Sequence, residues 1–343
     1  MTFALCIAGD PTSLATLIRT RADHILGGAI VGLSSYPRPT LPWPAVQAVT
    51  APLLGDARER IQELWQTDED CRTGEFAGIA FRRNSELLYG VLRFDEQNFA
   101  GAMAQHPLQA ATEEAYRRIF ALLDRQSLPY LWRVWNYFAD INRESDGLER
   151  YRQFNIGRHN AFEACGRAAV GQVPAACAIG LRDGPLSIAF IAGGQPPLAV
   201  ENPRQISAYD YPTTYGPRSP TFSRAVLVEL AQQRSLFISG TASIVGHRTI
   251  HVSDLAAQCH ETLDNIAAVV DEANRRHPGP PFSLSELTYR AYLRHGNSYS
   301  IFRDVINKRL GVDTAIVCVQ ADICRHDLLV EIEAMATLPI RSR

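Results

Sequence analysis

One order of strand-like and helix-like segments occurs twice along this chain. From residue 220 onward, runs rich in β-branched residues alternate with amphipathic runs in the order ββαβαββ, and the same order occurs earlier, between residues 78 and 193. The helices are predicted from apolar positions at helical spacing, such as Leu263, Ile266 and Val270, and the strands from β-branched density between Gly or Pro residues. The sequence therefore predicts an α+β protein built as an internal duplication, in which each unit is a sheet covered on one face by two helices.

A short motif and the chain length support the duplication. Tyr151 and Phe154 start one predicted helix, and Tyr299 and Phe302 start its counterpart. At ~100–200 residues per domain, 343 residues suggest two domains. The Pro-rich stretch 193–205 is the predicted connection, which gives an N-terminal domain of residues 1–200 and a C-terminal domain of residues 201–343. The first 75 residues show only a weak pattern, with a predicted loop at 37–44.

Composition excludes several classes of function. The net charge of −2 offers no electrostatic footprint for nucleic acid. No apolar run approaches the ~18–20 residues of a membrane span, so no membrane association is expected. Seven cysteines, scattered and without a C-x-x-C pair, indicate reduced thiols and a cytoplasmic protein.

Motif searches exclude further classes. Lys308 is the only lysine and lies in a polar helical stretch, which disfavours P-loop phosphoryl transfer and Schiff-base chemistry. Dinucleotide, zinc-protease and nucleophile-elbow motifs are absent from the sequence. His247 and His251 are four residues apart but lie where strand or loop is predicted, so no metal site is expected.

Several segments together carry a family resemblance. They are the acidic strand VEIEA at 330–334, ERYRQFNIGR at 149–158, TYGPRSPTFSRA at 214–225 and FISGTASIVGH at 237–247. The acidic strand resembles the RidA/YjgF-like fold, and the segments together resemble the chorismatase family. The resemblance implies two RidA/YjgF-like (chorismate mutase-like) ββαβαββ units, the N-terminal one degenerate and the C-terminal one carrying a catalytic glutamate. RidA deaminases place an arginine on the strand before the acidic one, whereas this strand reads TAIVC at 314–318, which disfavours imine hydrolysis.

The resemblance implies chorismate, a dianion, as the small-molecule substrate. Two carboxylates need cationic or donor-rich anchors, and the planar guanidinium matches a carboxylate well. In a chain with so many arginines, each candidate could instead be a solvated surface residue, and Tyr151 could simply face the core. The candidate substrate-binding residues are Arg158, Arg218, Arg224, Tyr151 and Tyr215.

Breaking the enolpyruvyl ether of chorismate needs a general acid that protonates its methylene carbon. Glu331 lies between two apolar residues on a predicted strand, where burial would raise the pKa of its carboxyl group and keep it protonated. Glu333 is expected on the same strand face, so the strand pattern alone leaves the choice open. The family resemblance favours Glu331 as the catalytic residue. The alternative is that both glutamates face solvent on an edge strand.

Small residues near the expected site suggest where the substrate approaches the backbone. Ser239, Gly240 and Thr241 form a small-residue strand that would let a ligand come close and hydrogen-bond; dense packing beneath a helix is the alternative. Cys324 could lie beside the same pocket or be an inert buried thiol. By family resemblance, Gly240 together with Cys324 implies the aromatising branch, which forms 3-hydroxybenzoate, and in some members also 4-hydroxybenzoate, with pyruvate.

Two other functions stay open at this point. One is a chorismate hydrolase that gives 3,4-dihydroxycyclohexa-1,5-dienoate and pyruvate, and the other is a non-catalytic protein that binds a small anion. Protonation of an enol ether needs no cofactor or metal. RidA-like units usually form trimers with sites between subunits, but a duplicated chain can supply its own partner face, so both a monomer and a homotrimer are possible.

Overall fold

A computed structural model describes residues 1–8, 11–33, 43–101, 106–277 and 279–340. Most of the loop expected at 37–44 lies outside these residues. No helix in the described ranges has both the length and the apolar character to cross a membrane.

The N-terminal region forms a four-stranded sheet carrying one helix. Its elements are β1 (Phe3–Ala8), α1 (Pro11–Arg21), β2 (Ile25–Gly32), β3 (Val46–Val49) and β4 (Arg60–Thr67). The strand order is β1-β4-β2-β3, in which β4 is antiparallel to both β1 and β2 and β3 is parallel to β2. The sequence pattern gave no indication of this sheet.

The middle of the chain forms a six-stranded sheet, and every strand and helix predicted for the first copy is present in it. Its elements are β5 (Arg72–Phe76), β6 (Ile79–Arg83), β7 (Leu87–Phe94), α2 (Pro107–Gln126), β8 (Tyr130–Ala139), a small hairpin of β9 (Glu144–Ser145) and β10 (Leu148–Glu149), α3 (Arg150–Ala164), β11 (Ala175–Leu181) and β12 (Leu186–Gly193). The strand order is β11-β8-β12-β7-β6-β5. The pair β8–β11 is parallel and the pairs formed by β12 are antiparallel.

The C-terminal sheet repeats this arrangement. Its elements are β13 (Leu198–Val200), β14 (Ala225–Glu229), β15 (Gln233–Ala242), a small hairpin of β16 (Ile244–Val245) and β17 (Arg248–Thr249), α4 (Leu255–Arg276), β18 (Thr288–Leu293), α5 (Tyr299–Leu310), β19 (Ile316–Gln320) and β20 (Val330–Pro339). The order β19-β18-β20-β15-β14-β13 matches the middle sheet strand for strand, with the same parallel and antiparallel pairs. The predicted duplication in an α+β fold is therefore confirmed. The N-terminal sheet has the order and pairing of the four strands β15-β20-β18-β19.

The three sheets share one central core. Trp65, Trp135 and Phe237, one from each sheet, pack together with ring centroids about 6 Å apart. The helices cover the outer faces, where α2 and α3 pack on the middle sheet and α4 and α5 on the C-terminal sheet. Burying large aromatic side chains on both faces of each sheet provides most of the driving force for folding.

The edge of the middle sheet lies against the C-terminal sheet. Ala175, the first residue of β11, forms a parallel bridge with Ser223 just before β14. The hydroxyl of Ser239 on β15 donates to the Ser223 carbonyl at 2.6 Å and accepts from the Ala176 amide at 2.9 Å. The division of the chain at residue 200 stays a prediction, although β13 pairs with β14 of the C-terminal sheet.

Candidate active site

Glu331 lies at the bottom of a cleft between the middle and C-terminal sheets. Its side chain leaves β20 toward β11 and α3 and is 4% exposed, so the alternative of a solvent-facing glutamate does not hold. Burial, reinforced by the charge of Glu333, raises the pKa of Glu331 to about 8. A carboxyl group with this pKa stays protonated at neutral pH and can donate its proton.

A two-part cavity opens above Glu331. The inner part is small, about 30 Å³, and is lined by Tyr151, Arg158, Cys177, Gly240, Cys324 and neighbouring apolar residues. The outer part has a volume of about 460 Å³ and also borders Glu331, Gly240 and Cys324. A cavity of this size suits a small organic ligand.

Gly240 and Cys324 contact the Glu331 carboxyl group from two sides. A Cβ atom built on Gly240 would overlap Oε1 of Glu331, so the absence of a side chain at 240 makes room for the carboxyl group itself. The Cys324 thiol, in the loop between β19 and β20, lines the inner cavity beside Glu331, where it lowers the pKa of Glu331. Burial raises the pKa of Cys324 to about 12, which keeps it a neutral thiol and makes it a poor nucleophile.

Glu333 lies on the same strand face but does not border this cavity. Its Oε2 forms an ion pair with Nη2 of Arg133, and its Oε1 accepts from Nε1 of Trp135 at 3.0 Å and lies 3.3 Å from Nη1 of Arg290. With both oxygens engaged by donors, Glu333 is poorly placed to deliver a proton to a ligand. The geometry therefore favours Glu331 over Glu333, as the family resemblance did.

Arginines give the cavity a positive lining. The outer part is lined by Arg152, Arg224, Arg248 and Arg325, and the inner part by Arg158, whereas the carboxylates beside them, apart from Glu331, are Glu149 and Asp327. Among the described residues, Nε of Arg158 and Nε of Arg224 are buried without a hydrogen-bond partner. Buried guanidinium nitrogens left unpaired in this way are suited to an anionic ligand.

Tyrosines complete the lining. Tyr151, in the first turn of α3, borders both parts of the cavity. It therefore does not face only the core. The hydroxyl of Tyr215 lies 3.1 Å from Nδ1 of His247, and the guanidinium of Arg325 stacks 4.1 Å from the centre of the Tyr215 ring. Tyr215 therefore forms part of the outer wall.

Three of the predicted substrate-binding residues do not line the cavity. The Arg218 side chain is 45% exposed and lies 3.6 Å from Glu163, because the segment after Tyr215 turns toward the outer surface of α3. Ser239 is fully buried and joins the two sheets, and the Thr241 hydroxyl donates to the Ser239 carbonyl at 2.8 Å. Ser239 and Thr241 are therefore packed in the interior and do not border the cavity. Of the three residues from 239 to 241, only Gly240 lines the cavity.

Two groups of residues in or near the site were not predicted from the sequence. Cys177 reaches the inner cavity from β11 of the other unit, and only a three-dimensional arrangement of the units could have shown this. Arg325 and Arg294 were overlooked among the many arginines. Arg294 holds the loop that carries Cys324, since its guanidinium donates to the carbonyls of Ile323, Arg325 and Leu328 at 2.8–3.2 Å.

No metal centre is apparent in the part of the chain that the structure describes. No group of three His, Cys, Asp or Glu side chains there could hold an ion. His247 and His251 have separate partners, since His247 lies beside Tyr215 and His251 lies 3.9 Å from Glu261.

Several known proteins are similar to this chain in sequence and in fold. Residues 63–192 match the family described as "Chorismatase FkbO/Hyg5-like, N-terminal". A chorismatase of Streptomyces hygroscopicus is 38% identical over 81% of this chain and 79% of its own length, and a 3-hydroxybenzoate synthase of the same species is 35% identical over 82% and 83%. A chorismatase crystal structure superposes with a TM-score of 0.84 and 31% identity, covering 98% of both chains. This chain therefore belongs to the chorismatase family.

Proposed function

We propose that this protein cleaves chorismate into 3-hydroxybenzoate and pyruvate, with Glu331 as the general acid. The observation that carries the proposal is a buried carboxyl group with a pKa of about 8 at the bottom of an arginine-lined cavity. The relatives named chorismatase and 3-hydroxybenzoate synthase support the same substrate class.

The cavity suits both charges of chorismate. Arg158 in the inner part and Arg224 and Arg325 in the outer part can each receive a carboxylate, and Tyr151 and Tyr215 can add phenolic hydrogen bonds. Arg218 is left out of this proposal because it lies on the surface.

Proton transfer starts the reaction. Glu331 donates its proton to the terminal methylene carbon of the enolpyruvyl group, the C=C electron pair forms the new C–H bond, and the ether carbon becomes an oxocarbenium ion. The resulting Glu331 carboxylate lies near this cation and stabilises it electrostatically. A neutral carboxyl group is required at the start, and burial of Glu331 supplies it.

The fate of the oxocarbenium ion decides the product. Cleavage to 3-hydroxybenzoate and pyruvate consumes no net water, whereas hydrolysis to the diol consumes one. Aromatisation therefore needs water excluded from the ether carbon. A ring hydroxyl then displaces the enolpyruvyl oxygen: its proton returns to the Glu331 carboxylate, its oxygen bonds to the ring carbon, and the electron pair of the broken ring C–O bond forms the carbonyl of pyruvate. Gly240 lets the Glu331 carboxyl group sit against the β15 backbone, and Cys324 covers its other side. The inner part of the cavity beside these three residues is only about 30 Å³, and this limited space supports the aromatic product.

A direct assay tests the proposal. Purified protein is incubated with chorismate, pyruvate is measured with a coupled enzyme, and the ring product is identified by chromatography. We expect equal amounts of pyruvate and 3-hydroxybenzoate. Pyruvate accompanied by the non-aromatic diol would show a hydrolase, and folded protein that yields no pyruvate would show a binding protein instead.

We also propose a monomer in a reducing compartment such as the cytoplasm. The cleft at Glu331 is built from two sheets of one chain, and a third sheet closes the shared core, so no second subunit is needed to complete the site. All seven cysteines are free, which fits a reducing compartment. Analytical ultracentrifugation should give a single species near 38.0 kDa; a trimer would contradict the proposal.

A further inference from the structure

Two carboxyl side chains on one face of β20 have opposite surroundings. Glu331 borders the cavity and has the Cys324 thiol beside it in the cavity lining. Glu333, two residues further along, is 6% exposed and points into the centre of the molecule, where all three sheets meet. Nothing in the proposed reaction uses Glu333 directly.

A buried network of charges holds Glu333 in place. Arg133 on β8 forms its ion pair, and Trp135 on the same strand donates to it at 3.0 Å. Arg290 on β18 lies 3.3 Å away and forms a second ion pair with Glu63 on β4 of the N-terminal sheet. Nη1 of Arg290 also donates to the Tyr137 hydroxyl at 2.8 Å. Two arginines thus balance two glutamates, and the three sheets contribute to one network.

The groups around Glu331 determine whether it keeps its proton. Burial and the charge of Glu333 both favour the protonated form, whereas Arg133 and the Cys324 thiol favour the ionised form. Cys177 lies between the two glutamates, and its pKa is raised well above the usual value by burial and by Glu333, so it stays neutral. The titratable groups around Glu331 are Glu333 from β20, Arg133 from β8, Cys177 from β11, Tyr292 from β18, Tyr151 and Arg158 from α3, Cys324 from the loop before β20, and Arg224 and Arg325 in the lining of the outer cavity.

We propose that Glu333 is a positioning residue, whose fixed negative charge keeps the proton on Glu331 until substrate is bound. The inference deepens the proposed function, because it assigns a role to the network behind the general acid. Two residues along a strand are ~7 Å apart. At an effective dielectric constant of about 20, one charge at that distance changes the titration midpoint of another group by roughly 1–2 pH units.

Carboxyl-carbon NMR tests the proposal without relying on activity. The protein is labelled with ¹³C at the glutamate side-chain carboxyl groups, and the Glu331 signal is assigned by its loss in Glu331→Gln. In the wild type this signal should titrate near pH 8. In Glu333→Gln the midpoint should fall by roughly one pH unit or more, since the repelling charge is gone and Arg133 is no longer neutralised.

Two further variants separate this role from a structural one. Arg133→Met removes the nearby cation and should move the midpoint in the opposite direction, to higher pH. Glu63→Gln removes a carboxylate from the same network, but one bound to Arg290 rather than next to Glu331, and should leave the midpoint close to that of the wild type. If Glu333→Gln alone does not fold, the double variant Arg133→Met with Glu333→Gln is compared with Arg133→Met: a lower midpoint in the double variant supports the role of Glu333, and an equal midpoint contradicts it.

The outcomes distinguish this inference from the proposed function. An unmoved Glu331 midpoint in Glu333→Gln, or an equal shift in Glu63→Gln, would overturn the positioning role even if the wild type cleaves chorismate. The expected shifts in a protein that forms no pyruvate would support the positioning role and contradict the proposed function. If both hold, the high-pH limb of kcat/KM should move with the NMR midpoint.

Discussion

At the scale of single residues, Gly240 controls where the acid can sit. A Cβ atom at this position would overlap Oε1 of Glu331, and because that oxygen is the end of a flexible side chain, the carboxyl group can rotate away rather than disrupt the strand. Gly240→Ala should therefore fold normally, displace the acid and admit water, shifting product from 3-hydroxybenzoate toward the diol. Product chromatography measures the ratio.

The matched control for this variant is Gly194→Ala. There the added Cβ would meet its nearest described neighbour, Leu128, at an ordinary contact distance of 3.7 Å. This control should leave the product ratio unchanged. An unchanged ratio in Gly240→Ala as well would remove Gly240 from the control of the product.

Glu331 should also cost the protein stability at high pH. Its pKa is about 8 in the folded protein, above the usual value of 4.5, so the unfolded chain releases this proton more readily. The contribution of the Glu331 proton to the free energy of unfolding is fully present below about pH 4.5. It falls as the pH rises toward 8, by up to about 1.4 kcal/mol per pH unit. Glu331→Gln keeps a neutral side chain at every pH, so its advantage in Tm over the wild type should be larger at pH 8 than at pH 5. An equal difference at both pH values would show that Glu331 is not held protonated by the fold.

Single residues were predictable from the sequence when their local pattern was unusual. Acidic residues between apolar neighbours pointed to Glu331 and Glu333 alike, and the family resemblance favoured Glu331, which the structure brings together with Gly240, Cys324 and Tyr151. Ser239 was misplaced because a hydroxyl that joins two sheets has the same sequence signature as one that binds a ligand. Cys177 was missed because its proximity depends on how the two units pack.

At the scale of elements, the loop between β19 and β20 is positioned by one side chain. Arg294 donates to three carbonyls of this loop and also to Asp322 at 2.6 Å and to Asn142 at 3.1 Å. Arg294→Gln should loosen the segment that carries Cys324 and Arg325, raise KM and lower stability by about 1–3 kcal/mol, because several buried acceptors lose their donor. Steady-state kinetics and thermal unfolding measure both effects.

Arg309→Gln serves as the control for the loop variant. Arg309 on α5 forms an exposed ion pair with Asp264, which contributes little to stability. Its kinetics should match the wild type. Wild-type KM in Arg294→Gln would contradict the positioning of this loop by Arg294.

The elements of both copies were predictable from two different signals: apolar residues at helical spacing in α2 and α4, and uninterrupted apolar runs between turn residues in buried strands such as β11 and β12. Helix α4 alternates buried and exposed positions with helical spacing, and the aspartate before it, Asp254, caps its first turn by accepting from the Ala257 amide at 3.0 Å. The N-terminal strands were not predictable. Strand β3 has only four residues, and β2 contains Gly27, Gly28 and Gly32, a residue type that is unfavourable in strands.

At the scale of the whole molecule, corresponding positions in the repeated sheets have different surroundings. Glu331 is the cross-strand neighbour of Tyr292 in the C-terminal sheet, and Ser187 is the cross-strand neighbour of Tyr137 in the middle sheet. The two tyrosine hydroxyls are hydrogen-bonded to each other at 2.6 Å. The place next to Ser187 is filled, since the side-chain amide of Gln47 from the N-terminal sheet donates to the Ser187 hydroxyl at 3.2 Å. Repetition of the unit thus provides the scaffold, and the side chains decide which sheet carries a site.

The hydrogen bonds of Ser239 between the middle and C-terminal sheets should affect the free energy of unfolding and leave the product ratio unchanged. Ser239→Ala would leave the Ala176 amide and the Ser223 carbonyl without this partner in the buried interface, at a cost of about 1–3 kcal/mol. Denaturant unfolding should show this loss, while the ratio of aromatic product to diol stays as in the wild type. A changed ratio at unchanged stability would return Ser239 to the substrate-binding residues.

Single-turnover cleavage of chorismate by Glu331→Gln at pH 6 tests the whole account most directly, because glutamine keeps the shape of the side chain but has no acidic proton to donate. We expect pyruvate release to fall by ~10²–10⁴-fold relative to the wild type, with substrate binding retained. Glu333→Gln at the same pH should keep most of its activity. Pyruvate release by Glu331→Gln at a rate close to that of the wild type would contradict proton donation by Glu331.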